Sequence, residues 1–247
     1  MTYCLAVQVE AGIAFAADTR SNAGVDYVTS YSKLHCFRTK EGTVVALLSA
    51  GSLATTQEVV SWMQRDLDQD NSENLNHFSR MFEAAAYVGR VSQAVQESHR
   101  AALAATGVSA QATFILGGQI RGEPPSIYLI YPEGNFIRAS ADTPYLQVGE
   151  TKYGKPILDR LVDAKLSLPQ ATRLAVLSLN ATIKSNLSVG PPLDLGIYRT
   201  DSFHPLVTSR LDEEDPYYAE VNDGWNNALK DVFFRLPDYP WDKPGGR

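Results

Sequence analysis

Apolar and polar positions divide the chain into a regular series of segments. Residues 2–9 (TYCLAVQV) and 12–18 (GIAFAAD) are apolar runs joined by Glu10-Ala11-Gly12, the signature of a strand hairpin. Residues 19–32 are polar and rich in Ser, Thr, Asn and Gly, which predicts a loop. Residues 33–39 and 43–50 predict a second strand pair around Thr39-Lys40-Glu41-Gly42. The almost unbroken TVVALLSAG suits a strand covered on both faces. Two helices should follow, Ser52 to Asp68 and Asn76 to Ala104. In the second, Met81, Ala84, Val88, Val91, Val95 and Ala102 recur mostly at three- and four-residue steps, a stripe that packs on a core. Strands are expected again at 110–118, 126–132 and 136–140, with Pro132-Glu133-Gly134-Asn135 as the turn between the last two. Helices near 152–165 and 168–185 come next, the latter opened by Ser167-Leu168-Pro169 as cap and first turn. A last strand is expected at 193–199.

Strands arriving in consecutive pairs imply antiparallel sheets, and paired helices imply layers outside them. The simplest solution is an α+β protein, a four-layer αββα sandwich. No internal repeat or low-complexity linker interrupts residues 1–247, so one domain is expected, with about 205–247 as a C-terminal extension. Within it, residues 211–247 hold nine acidic and four basic residues, three prolines beyond position 236, and the aromatics Tyr217, Tyr218, Trp225, Phe233, Phe234, Tyr239 and Trp241. A solvated tail has little use for so many aromatics. A helical extension packed on the domain or on a neighbouring subunit is therefore expected, with a flexible acidic tail as the alternative.

Composition narrows the function. Twenty-eight acidic against 22 basic residues give a net charge of −6, which argues against a general nucleic-acid binder. The two cysteines, Cys4 and Cys36, form no C-x-x-C pair and suit reduced thiols in a cytoplasmic protein. No signal-peptide pattern precedes the first strand, and no apolar run reaches the ~20 residues that span a bilayer. His35, His77, His99 and His204 are scattered without ligand-like spacing, so neither a metal nor a cofactor is expected. GGQIRG (117–122) lacks the Gly-Lys-Ser/Thr ending of a phosphate loop.

A threonine at the head of a buried strand can do chemistry if its amine is free. A hydroxyl nucleophile needs a base. A terminal α-amine, with a reference pKa of about 7.7–8, is well matched to that work. This requires loss of Met1, which the small side chain of Thr2 permits. Lys33 can supply positive charge beside the hydroxyl, and Asp18, closing the second strand, can hold the lysine. Gly51, between a strand and a helix start in SAGSLATTQ (49–57), can bring a backbone N–H to a developing oxyanion.

Thr2, AADTR, KLH and SAGSLATTQ, taken in that order, resemble the proteasome β-subunit family of N-terminal nucleophile hydrolases, which includes bacterial HslV; the likeness runs over about residues 2–200. MTYC, DTRSNAGVD, SKLH and VGETKYGKPILDR are most similar to its ancestral β-subunit (Anbu) branch. The resemblance implies the αββα fold, a cytoplasmic location, and a homo-oligomer built as a ring or an open helix, acting on a peptide or peptide-like substrate without nucleic acid or membrane. It names no ATPase partner. It also implies Thr2 as nucleophile, Asp18 and Lys33 as its partners, Gly51 as oxyanion donor and Ser188 as support for the terminal amine. Asn22, Ser49 and Leu53 would line the substrate pocket, and Arg20 would have a structural role. Several positions depart from the family pattern. Asp18 and Lys33 are 15 residues apart, one fewer than usual. Asn22 replaces a backbone-binding threonine, Ser185 an aspartate, and Glu150 a serine, with Lys152 close by to offset or pair with it. Three readings stay open: a threonine peptidase, a catalytically weak scaffold of the same fold, and an amidase on a non-peptide substrate.

Overall fold

Two five-stranded antiparallel sheets lie face to face in the computed structural model, which describes residues 2–22, 28–105 and 107–241, the side chains of Asn22, Val28 and Ala104 excepted. The chain forms β1 (Tyr3–Val9), β2 (Gly12–Asp18), a ribbon of β3 (Arg20–Asn22) and β4 (Val28–Ser30), then β5 (Leu34–Cys36) and β6 (Thr43–Gly51). Helices α1 (Leu53–Asp68) and α2 (Met81–Ala104) precede β7 (Ala112–Ile120), β8 (Ser126–Ile130), β9 (Phe136–Arg138) and β10 (Tyr145–Gly149). Then come α3 (Lys155–Leu161), α4 (Leu168–Ser185), β11 (Leu193–Arg199), β12 (Val207–Leu211) and α5 (Pro216–Arg235). One sheet has the order β10-β1-β2-β11-β12 and the other β5-β6-β7-β8-β9.

The period of two along β1 explains the layering. Tyr3, Leu5, Val7 and Val9 join Leu174, Ala175 and Leu179 of α4 in one core, whereas Cys4 and Ala6 join residues of the other sheet. The central core, between the sheets, sets Ile13 and Phe15 of β2 with Ala46 and Leu48 of β6 and Ile115 of β7. A third core packs Val59 and Met63 of α1 and Val88 and Val95 of α2 on the outer face of β6 and β7. Both sheets are thus covered on both faces, which is why their central strands read as unbroken apolar runs. The expected αββα sandwich is the fold observed.

The local differences have physical causes. α2 begins at Met81 instead of Asn76, because the Glu83 carboxylate accepts N–H groups of Ser79 and Arg80, each at 3.0 Å, and fixes the helix start there. α3 is confined to Lys155–Leu161: Gly154 caps it, Pro156 lies in its first turn, and Val162 is already extended. The expected loop at 19–32 contains the β3–β4 ribbon, and two unexpected strands, β10 and β12, form the edges of the first sheet. Asp215 caps α5 by accepting N–H groups of Tyr217 and Tyr218. The first half of α5 reaches the α4 core through Tyr218 and Val221. Its second half and the residues beyond leave Val232, Phe233, Phe234, Leu236, Tyr239 and Trp241 exposed. Among the described residues, no helix is long and apolar enough to cross a membrane.

Candidate active site

Thr2 stands at the head of β1, between β10 on one side and β2 on the other. Its neighbour Tyr3 is fully buried, with its hydroxyl 2.6 Å from Ser178 Oγ and also accepting from Gln147 Nε2, so the strand start is anchored to α4. On the β2 side, Tyr3 N donates to Asp18 Oδ1 at 3.0 Å. Asp18 is wholly buried and also accepts from Lys33 Nζ at 2.7 Å and, on Oδ2, from Gly190 N at 3.3 Å. Burial pushes its carboxyl above the usual carboxylate range, against the pull of the Lys33 ammonium and the two backbone donors. Lys33 is itself only 5% exposed and gives a second bond, at 2.7 Å, to Arg20 O. A buried ammonium is tolerable only with such partners.

Ser49 on β6 secures the lysine through the backbone: its N–H donates to Lys33 O at 3.0 Å. Two residues further along, Gly51 ends the strand with φ +110°, and a β-carbon there would collide with Gln111 O. Ser52 then caps α1 by accepting from Thr55 N, and Leu53 opens the helix, half-buried. Gly51 therefore closes the strand that carries Ser49 and Leu53 begins the helix after it, and among the described residues neither is hydrogen-bonded to Thr2. The backbone of Asn22 pairs with Val28 in the ribbon; its side chain lies outside the described part of the structure.

The β10 side is equally constrained. Glu150 N donates to Thr2 O at 2.7 Å. Gly149 has φ +86°, and a β-carbon there would run into the same carbonyl oxygen. Gly149→Ala should therefore cost about 2–3 kcal/mol, from an unfavourable φ and a displaced Thr2; urea unfolding measures it. Glu150 is 9% exposed, and its Oε2 accepts from Asn186 Nδ2 at 3.1 Å. Asn186 Oδ1 in turn accepts from Ser188 N at 2.9 Å. Arg20 holds the same loop, Nη1 donating to Leu187 O at 2.8 Å. Ser188 is half-buried, while Ser185 and Lys152 are exposed; among the described residues Glu150 has no ion pair with Lys152.

Hydrogen bonds thus connect Asp18, Lys33 and Ser49 on one side of Thr2, and Glu150 and Ser188 through Asn186 on the other. Asn186 stands outside the site that the sequence predicts. Its one sign there is Asn-Leu-Ser, a pattern suited to a side chain that accepts an N–H two residues on. The main-chain donors of Tyr3 and Gly190 also go unpredicted, since any residue but proline supplies them. Among the described residues, no group of three or more His, Cys, Asp or Glu side chains could hold a metal ion.

Two facing antiparallel sheets between helical layers, with a threonine heading the first strand, define the proteasome-type N-terminal nucleophile hydrolase fold. Residues 2–197 match the proteasome subunit family. Anbu (ancestral β-subunit) from Yersinia bercovieri is 41% identical over 98% of this chain and 100% of its own, with a TM-score of 0.90. The helical assembly of the Anbu complex from Pseudomonas aeruginosa gives 40% identity, 97% and 98% coverage and a TM-score of 0.91. Anbu from Hyphomicrobium sp. strain MC1 gives 42%, 96% and 99%, and 0.86. No curated protein matches the chain. The chain belongs to the proteasome subunit family, in its Anbu branch.

Proposed function

We propose that the protein is a cytoplasmic threonine-type N-terminal nucleophile hydrolase acting on a peptide or peptide-like amide. The observation that carries this reading is the buried Asp18–Lys33 pair, bonded to the backbone of Tyr3 beside Thr2. Once Met1 is removed, the Thr2 α-amine accepts the hydroxyl proton as Oγ1 attacks the substrate carbonyl. The Lys33 ammonium, held in place by Asp18, favours the alkoxide, and the Gly51 N–H receives the oxyanion. The amine's proton goes to the leaving nitrogen as the C–N bond breaks, leaving an ester on Thr2. Water, deprotonated by the same amine, then cleaves the ester and restores the hydroxyl. Ser188 supports the terminal amine, while Ser49 and Leu53 shape the substrate groove.

The test is labelling of protein whose loss of Met1 has been verified by intact mass. A threonine-directed peptide electrophile should form one stoichiometric adduct on Thr2. No adduct on Met-free protein would favour the second reading, a catalytically weak scaffold, for which the Glu150 carboxylate next to Thr2 speaks.

The relative from Pseudomonas aeruginosa is described as a helical assembly. We extend assembly to this chain and assign it to the extension at about 205–247, whose exposed Phe233, Phe234, Leu236, Tyr239 and Trp241 form too apolar a surface for an isolated subunit. Deleting residues 231–247 should leave Tm within a few degrees, since the described residues of that stretch contribute nothing to the α4 core, and should shrink the particle in sedimentation velocity. An unchanged particle size would refute this assignment.

A further inference from the structure

Glu150 is a nine-tenths buried carboxylate with one hydrogen bond, from the neutral amide of Asn186, and no ion pair among the described residues. A buried carboxylate in that state lacks a counter-charge. The Glu150 backbone is also bonded to Thr2. The pairing of β1 with β10 ends on Tyr3 and Gly149, and just beyond it Glu150 N donates to Thr2 O at 2.7 Å. The cation that processing creates beside this carboxylate is the α-ammonium of Thr2.

We propose that Glu150, oriented by Asn186, is a positioning residue that binds the Thr2 α-ammonium and sets the pH at which that amine becomes a base. The proposal rests on the reading of Thr2 as a processed N-terminal nucleophile. The other charged groups on the surrounding elements are accounted for. Asp18, at the end of β2, is paired with Lys33. Lys33 is shared between Asp18 and Arg20 O, and Arg20 on β3 bonds Leu187 O. Lys152 is exposed, Lys184 of α4 bonds Asn226, and the 186–190 loop carries no charge. A carboxylate beside an amine favours the protonated form. The amine therefore releases its proton, and the enzyme gains its base, at higher pH than an isolated α-amine would.

Wild type, Glu150→Gln and Glu150→Ser can each be released from a cleavable N-terminal fusion that leaves Thr2 first. Competitive acetylation of the α-amine with trace acetic anhydride, read by mass spectrometry of the N-terminal peptide, gives its pKa without any turnover. The wild-type midpoint should lie about one pH unit above both variants. Equal midpoints, or a lower wild-type midpoint, would overturn the proposal. Glu150→Gln keeps the acceptor for Asn186, so a purely structural role would leave its midpoint where the wild type has it, and Glu150→Ser supplies a second test should the first variant misfold. Because the readout needs no hydrolysis, an inactive protein with a raised amine midpoint would count against the hydrolase reading alone.

Discussion

Thr2→Ala should yield a folded protein with no turnover. Thr2 is fixed through its carbonyl, which alanine retains, and its side chain is only half-buried, so stability should change by no more than about 1 kcal/mol. In the proposed reaction the Thr2 hydroxyl oxygen forms the acyl bond, and neither the Lys33 ammonium nor the Gly51 N–H can replace it. Turnover should therefore fall by about 10³-fold or more. A peptide-library digest read by mass spectrometry, with both proteins verified to begin at residue 2, measures this. Turnover retained by Thr2→Ala would remove the residue from the chemistry altogether.

Lys33→Ala should damage both activity and stability. Asp18 would stay wholly buried, with its two backbone donors but no cation. Breaking a buried pair from one side costs about 3–5 kcal/mol. The deficit should depend on pH, and its sign follows from the direction of the Asp18 shift. Burial already raises that carboxyl, and loss of Lys33 raises it further. A carboxyl whose folded-state pKa exceeds the unfolded value of about 3.9 binds more protons in the folded chain. Stability then falls as pH rises from about 4 to the folded-state pKa, and levels off above it. Urea unfolding of Lys33→Ala should accordingly show a smaller deficit near pH ~4 than at neutrality. The double variant Asp18→Asn, Lys33→Met removes both charges and should recover part of the loss. A deficit independent of pH, with no recovery in the double variant, would mean that the pair contributes through packing alone.

The sequence revealed those elements whose side chains carry a pattern. β1, β2 and β6 announce themselves as apolar runs because both faces of their sheets are covered. β12 does not: Val207, Thr208, Ser209 and Arg210 are exposed on an edge strand, so only Leu211 is under any pressure to be apolar. β10 is five residues with a glutamine at its middle, and Gln147 is there to bond the Tyr3 hydroxyl, a requirement set by a residue 144 positions away. The β3–β4 ribbon is built from backbone pairing of Arg20, Ser21 and Asn22 with Ser30, Thr29 and Val28, a mostly polar set that reads equally well as a loop. The same division runs through the candidate site. The order of Thr2, Asp18, Lys33 and Gly51 could be read because it uses distinctive residue types at strand ends. The contacts from Gly190 N, Tyr3 N and Glu150 N could not, since main-chain groups leave no mark on the sequence and are aimed only by the finished sheets.

Those contacts also set a timetable for synthesis. Thr2 is made well before its partners: its carbonyl is held by residue 150, and the nearby Asp18 is held by residue 190. Contacts so distant along the chain form late, after the loop-closing cost of both sheets has been met. During synthesis Thr2 and Asp18 therefore stay without their final main-chain partners until the segments that carry residues 150 and 190 have been made, and the candidate site is assembled only after most of the fold.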